Sequence, residues 1–317
     1  MPFELIKHDT RIDFVGQSRY AVILSTALLV LSLAACFWPG VKLGLDFTGG
    51  AEIQARFAPE AGADEGRIRK ALEPFGLSTA DIIRIGEGQA HDFLIRFQSE
   101  SAGDRGELAD QIRDALAKDV GAVTLERVDF VGPKVGAELR ERGIEALLIA
   151  SLLLLVYIAF RFTPLFAPGA IIAQVHDVLL TAGLMVVLGR EFDLTMLAAL
   201  LAILGYSIND KIVVYDRIRE NMELHTTHDF PNMVNESLNQ TLSRTVLTGG
   251  TAIFASLTLF LFGGPVIASF GLAMATGIVV GTYSSLWIAT PILLWLHARY
   301  GAKAPAKPTR KERAARS

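Results

Sequence analysis

The sequence predicts an α-helical polytopic membrane protein with six transmembrane helices and one small α+β domain of ferredoxin-like pattern. Three observations predict it. The composition is 51% hydrophobic and only 20% charged across 317 residues, with a positive mean hydropathy. Six apolar runs approach or exceed the roughly 17 to 25 residues that a hydrocarbon core demands. One polar stretch, between the first two runs, is long enough for a compact domain of about 100 residues.

The apolar runs are residues 20–38, 144–160, 166–188, 195–215, 245–262 and 266–296, the last long enough to need tilt or a break near Pro291. They divide the chain into an N-terminal segment 1–19, a polar domain 39–143, the helices of 144–296 and a basic tail 297–317. Lys7, Arg11 and Arg19 precede the first run, Arg161 follows the second, and Arg217, Arg219 and Arg244 lie around the fourth-to-fifth connection. The tail adds Lys303, Lys307, Arg310, Lys311, Arg313 and Arg316, whereas on the other side Arg190 is offset by Glu191 and Asp193. Positive charge gathers on the inner side of membranes. Both termini are therefore expected in the cytoplasm and residues 39–143 in the periplasm, with the tail free to touch anionic lipid.

Composition also excludes. A net charge of −3 leaves no broad basic surface for nucleic acid. One cysteine rules out a disulfide scaffold, and six histidines without an HExxH or HxxxH pair give no support to a metal site. No cofactor is implied. "LAAC" at 33–36 looks like a lipoprotein cleavage site, but Glu4, Asp9 and Asp13 do not suit a basic leader, and Cys36 reads as a small apolar helix residue.

Within the polar stretch, 51–57 alternates at the strand period and 65–76 has helical spacing. "DIIRIG" and "HDFLIRF" flank the turn-prone "EGQA" at 87–90, a second helix covers 106–118 and a last strand falls in 122–132. The order βαββαβ is that of a split ferredoxin-like unit. "GPKVG" lacks the spacing of a phosphate-binding loop, and no nucleophile and base are set together, so the domain is assigned to partner contact rather than catalysis.

The ionic residues inside the apolar runs are the candidate site. Asp210, beside Asn209 and one turn after Ser207, lies about fifteen residues into its helix, roughly 22 Å along the axis. An aspartate at a helix centre costs about 2.5 to 3.5 kcal/mol to insert, so it must be protonated, hydrated or paired. Asp177, next to His176 in the third run, raises the same question at an overlapping depth and is open to a structural or a functional reading. Arg244 opens the fifth run, where it either snorkels to the surface or reaches toward the fourth helix. Movement of Arg244 relative to Asp210 would change the proton affinity of the acid. Lys211 points about 100° away from Asp210 and is expected to snorkel toward the inner surface. Small residues in "TGGTAIFAS" (248–256) and "GLAMATGIVVG" (271–281) suit close helix packing.

Five stretches in order, "GLDFTGG" (44–50), "VDFVGPKVGAEL" (128–139), "HD" (176–177), "GYSINDKIVVYDRIREN" (205–221) and "NQTLSRTVLTGGTA" (239–252), together resemble the SecF members of the SecD/SecF protein-export family, relatives of the resistance–nodulation–division (RND) transporters. The resemblance implies half of a twelve-helix unit, completed by SecD, with YajC, the SecYEG channel and the translocating preprotein as further partners. It implies protein translocation assisted by the proton motive force, with no enzymatic activity. Carried over by position, Asp210 is the proton-relay acid and Arg244 its basic companion, while Gly44, Asp46, Gly49 and Gly50 form the motif after the first span. Lys211, where Thr is expected, and Lys134, where a neutral residue is common, depart from the pattern. The competing readings are a scaffold for SecD without a relay of its own, an RND-type small-molecule exporter and an intramembrane protease built on Asp177 and Asp210.

Overall fold

The first span starts earlier than its apolar run. In the computed structural model, which describes residues 11–85, 91–97, 105–224 and 229–300, helix α1 covers Phe14–Ala35 and a π-helical turn, Cys36–Gly40, extends it. Its free N-terminal amides are satisfied from within the sequence and from far along it. Asp13 accepts from the Gly16 amide at 2.8 Å, and Asn235 accepts from the amide of Phe14 at 2.8 Å. Capping side chains, which a hydropathy window cannot see, thus set the start of the helix. Cys36 continues it, its thiol donating to the Ser32 carbonyl at 3.3 Å.

The chain divides into two compact units, one of them Leu43–Ala146. That unit opens with the short helix α2 (Leu45–Thr48), then β1 (Gly50–Phe57), α3 (Glu65–Leu72), β2 (Asp81–Ile85), β3 (Asp92–Phe97), α4 (Arg105–Asp119) and β4 (Val123–Val131). The four strands make an antiparallel sheet in the order β2-β3-β1-β4, the ferredoxin-like arrangement. Alternation in β1 turns Ala51, Ile53, Ala55 and Phe57 inward, where they form one core with Ile68 and Leu72 of α3 and Ile112 and Leu116 of α4. The opposite face carries cross-strand ion pairs, Arg96 with Glu52 at 2.5 Å and Arg56 with Asp92 at 2.7 Å. The hydrogen bond from Arg56, together with its charge, holds the Asp92 carboxyl below the usual carboxylate range. Helix α3 stops short of the predicted 76 and tightens into a 3₁₀ turn at Glu73–Phe75, because Pro74 has no amide to continue the ladder. The turn predicted at 87–90 and the tail beyond 300 lie outside the described residues.

The predicted motif stretches 44–50 and 132–136 meet backbone to backbone. Gly49 and Gly50 have φ of 72° and 127°, a region that side chains avoid. A Cβ on Gly49 would lie 2.8 Å from the Cα of Pro133, one on Gly50 2.7 Å from the Phe97 carbonyl, and one on Gly136 2.9 Å from the Gly49 amide nitrogen. Gly44 is buried and its carbonyl closes α2 by accepting from the Phe47 and Thr48 amides, both at 3.1 Å.

The remaining helices are α5 (Pro133–Arg161), α6 (Ala167–Val187), α7 (Leu194–Leu224), α8 (Phe230–Phe262), α9 (Gly264–Trp287) and α10 (Ala289–Tyr300). Among the described residues, six helical stretches, with α9 and α10 counted as one, are long and apolar enough to cross a membrane. Helix α5 leaves Leu148, Leu152, Leu153 and Phe160 exposed, as a lipid-facing helix does, whereas α6 and α7 are half buried at the centre. Both α7 and α8 continue well past their apolar runs. Asn221 donates to Ser237 at 2.8 Å and Arg217 to Gln240 at 2.7 Å, over buried Ile218, Val234 and Leu238. The hydrophobic run marks the medium around a helix, not its end. The break expected near Pro291 falls at Ile288, where Pro291 leaves the Trp287 carbonyl without its usual amide.

Gly49→Ala is expected to lower the thermal stability of the purified chain by about 1 to 3 kcal/mol from backbone strain alone. Circular dichroism melting checks it, with Gly62→Ala, whose added Cβ meets only the end of an Arg67 side chain, as the milder comparison.

Candidate functional site

Helices α6 and α7 hold every buried charge among the described residues, and α9 packs against both. On α7, Ser207 and Lys211 are four residues apart and so share a face, while Asp210 is turned about 100° from Lys211. On α6, Asp177 meets the Ser207–Lys211 face. The Lys211 ammonium donates to Asp177 Oδ2 at 2.6 Å and to Ser207 Oγ at 2.5 Å, and the Ser207 hydroxyl donates to the same carboxylate oxygen. The other oxygen of Asp177 lies 3.0 Å from His176 Nδ1. Asp177 and Lys211 are both 0% exposed. Desolvating an ion costs several kcal/mol, and only a short, fully hydrogen-bonded pair offsets that cost. This overturns the expected snorkelling of Lys211, because an acid at the same depth on the neighbouring helix captures the ammonium before it reaches a surface. It also removes the carboxylate dyad that a protease reading needs, since both oxygens of Asp177 are occupied.

Asp210 is different. It is 2% exposed, its Oδ2 accepts from the Thr282 hydroxyl of α9 at 3.1 Å, and among the described residues no cation stands at ion-pairing distance. One turn before it, the buried Tyr206 hydroxyl has no hydrogen-bond partner among the described residues, and neither has the Thr245 hydroxyl of α8. A Cβ on Gly249 would lie 3.4 Å from Thr282 Oγ1 and 3.9 Å from the Tyr206 hydroxyl, so that glycine closes the same small polar region. A carboxyl set among hydroxyls in this way can take and return a proton without breaking an ion pair.

Of the residues singled out in the sequence, the fold brings Asp177, His176 and Ser207 together and sets Asp210 one face away. Arg244 and Asn209 are both exposed on the surfaces of their helices, and among the described residues Arg244 makes no ion pair with Asp210. Asp46 is half-buried in α2, in the other unit. Two participants were missed. Lys211 carried a signal, its position four residues after Ser207, whereas Thr282 carried none beyond a hydroxyl in an apolar helix. The close approach of α9 to α7 is set by glycine: a Cβ on Gly277 would lie 2.6 Å from Ile203 Cγ1, and one on Gly281 2.8 Å from Ser207 Oγ.

The family described as protein export membrane protein SecD/SecF, C-terminal, matches residues 111–299, and the SecD/SecF GG motif matches 39–61. The chain belongs to the SecF branch of the SecD/SecF family. Protein translocase subunit SecF of Calditerrivibrio nitroreducens is 42% identical over 294 residues, which is 92% of this chain and 95% of that protein. The SecF subunit of Pseudomonas aeruginosa is 40% identical over 288 residues, 90% and 92% of the two chains. The crystal structure of SecDF from Thermus thermophilus, a translocon-associated membrane protein, superposes with a TM-score of 0.81 at 37% identity, covering 93% of this chain and 40% of that one. SecDF in a super-membrane-facing form superposes at 0.69 with 36% identity, covering 100% and 41%. This chain thus spans about two fifths of those SecDF chains and corresponds to their SecF part. The SecD/SecF C-terminal match takes in α5 to α9 and nearly all of α10, with Asp177, Asp210, Lys211 and Arg244, and the GG motif takes in Gly44 to Gly50.

Thr282→Val keeps the volume and removes the described hydrogen bond to Asp210. It is expected to lower stability in detergent by about 1 to 3 kcal/mol, the cost of an unsatisfied buried acceptor, and Thr282→Ser to retain most of it. Thermal unfolding at neutral pH reads the difference.

Proposed function

We propose that this SecF-family chain is the second half of a proton-driven unit of the bacterial inner membrane that assists and completes preprotein translocation. Asp210 carries the proton and Arg244 supplies a basic charge that acts on it. The observation that carries the reading is the contrast between the two buried acids: Asp177 is committed to Lys211, while among the described residues Asp210 has one hydroxyl donor and no paired cation. Each proton crossing releases about 2.3 kcal/mol per 100 mV of membrane potential, so the work needs no bound nucleotide. Kinship with protein translocase subunits supports a translocating polypeptide as the cargo.

In this reading SecD completes the helical unit, with YajC and the SecYEG channel as associates. Both termini lie in the cytoplasm and residues 39–143 in the periplasm, in keeping with the excess of Lys and Arg in the inner connections. The ferredoxin-like domain contacts partner or emerging polypeptide.

The test arrests a preprotein in transit in inner-membrane vesicles, removes ATP and imposes a proton motive force. With Asp210→Asn at equal SecD–SecF levels, completion is expected to lose its proton-motive-force stimulation. Full stimulation in the Asp210→Asn variant would rule out the relay and leave the scaffold role.

A further inference from the structure

Helix α7 carries two ionic residues in succession, Asp210 and Lys211, and the structure sends them to different helices. Their side chains leave the helix about 100° apart, yet with no other partner the long, flexible Lys211 stem would leave an unpaired ammonium in a dry interior within reach of the Asp210 charge. Here Lys211 is instead fixed to α6 by Asp177 at 2.6 Å, with the Ser207 hydroxyl shared between them and the Ser207 carbonyl at 3.4 Å. His176 closes the other side of Asp177 at 3.0 Å. A Cβ on Gly281 would strike Ser207 Oγ at 2.8 Å, so the glycine is what lets α9 close over this serine. All of Asp177, Lys211 and Ser207 are within 1% of complete burial, and among the described residues Asp177 and Asp210 are the only buried carboxylates.

We propose that Asp177 and Lys211 form a fixed ionic clasp between α6 and α7 that holds the ammonium off Asp210, which makes both of them positioning residues and leaves Asp177 out of proton transport. The proposal rests on the reading of Asp210 as the proton carrier. The clasp satisfies each charge with the other and commits both oxygens of Asp177, so it has no part to play in a cycle that needs a free acid. The groups around Asp210 are Tyr206 on its own helix, Thr282 on α9, Arg244 on α8 and the neighbouring Lys211 ammonium, which reaches Asp210 by charge alone because its hydrogen bonds go to Asp177 and Ser207, with His176 on the far side of Asp177. Removing Asp177 alone frees an ammonium beside Asp210. Removing both members leaves two neutral side chains and Asp210 in its native company.

The test compares Asp177→Asn, Lys211→Met, the double variant and Asp210→Asn in the SecD–SecF complex. Two readouts are taken: thermal unfolding in detergent, and the dependence of proton-motive-force-driven translocation on outer pH. Each single clasp variant is expected to unfold at lower temperature than wild type, and the double to recover most of the loss. A freed ammonium favours the carboxylate at Asp210, so the Asp177→Asn profile moves to lower outer pH, by a unit or so for about a tenfold change in proton affinity. The double variant returns to the wild-type profile. Additive destabilisation, an unmoved profile in Asp177→Asn, or a double variant that assembles but does not translocate would each overturn the proposal while Asp210→Asn remains inactive. An active Asp210→Asn would instead bring down the relay reading, and with it the need to hold Lys211 away; recovery of stability in the double would then preserve the clasp as structure alone.

Discussion

A charge taken out of water must be answered by an opposite charge, a set of dipoles or a proton, and the centre of this helical unit is arranged around that demand. Among the described residues it buries two aspartates and one lysine. Asp177 and Lys211 answer each other at 2.6 Å, which leaves Asp210 as the unmatched member with a single hydroxyl donor at 3.1 Å. The isolated cost of such a carboxylate, several kcal/mol even after relaxation, is too large for ornament. A proton is the smallest cation that cancels it.

The polar centre and the packing around it are one construction. Gly277 and Gly281 are four residues apart on α9, and they receive Ile203 and Ser207, which are four residues apart on α7. Helices in lipid gain little from burying apolar surface against each other and depend on close contact, which small residues permit. The turn of α9 that brings Gly281 to Ser207 also aims Thr282, the next residue, at Asp210. One stretch of helix therefore confines the clasp and supplies the donor to the free acid. A larger side chain at 281 would disturb both at once.

Much of this was legible before the structure. Apolar run lengths gave the number of spanning helices, and the change from period two to helical spacing gave the order of the ferredoxin-like unit. The helix ends were less legible. Asn235 and Asn239 hold the start of α1 from more than 200 positions away, and Ile218, Val234 and Leu238 keep α7 and α8 helical where charge density suggests an exit. The candidate site was half legible. Asp210 and Asp177 stand out because ionic residues in apolar runs are few, but hydropathy has no term for pairing between helices, so Lys211 looked like a surface charge. Thr282 was invisible for a simpler reason: a threonine in a membrane helix commonly bonds to its own preceding turn, as Thr26 and Thr258 do here.

The identity of the basic companion constrains how the proposed relay can work. A guanidinium does not lose its proton at any physiological pH, so Arg244 cannot pass one on. It can alter Asp210 only through distance. On the exposed side of α8, without an ion pair to Asp210, it exerts a weaker influence than contact would give, and that influence rises steeply as the separation shrinks in a low-dielectric interior. The hydroxyls of Thr282, bonded to Asp210, and of Tyr206, one turn before it, carry exchangeable hydrogens. In the proposed relay, proton passage and charge compensation thus fall to different side chains on different helices, and a change of state at Asp210 would alter the electrostatic force between α7 and α8. That force is where the proposed relay would convert a proton gradient into movement.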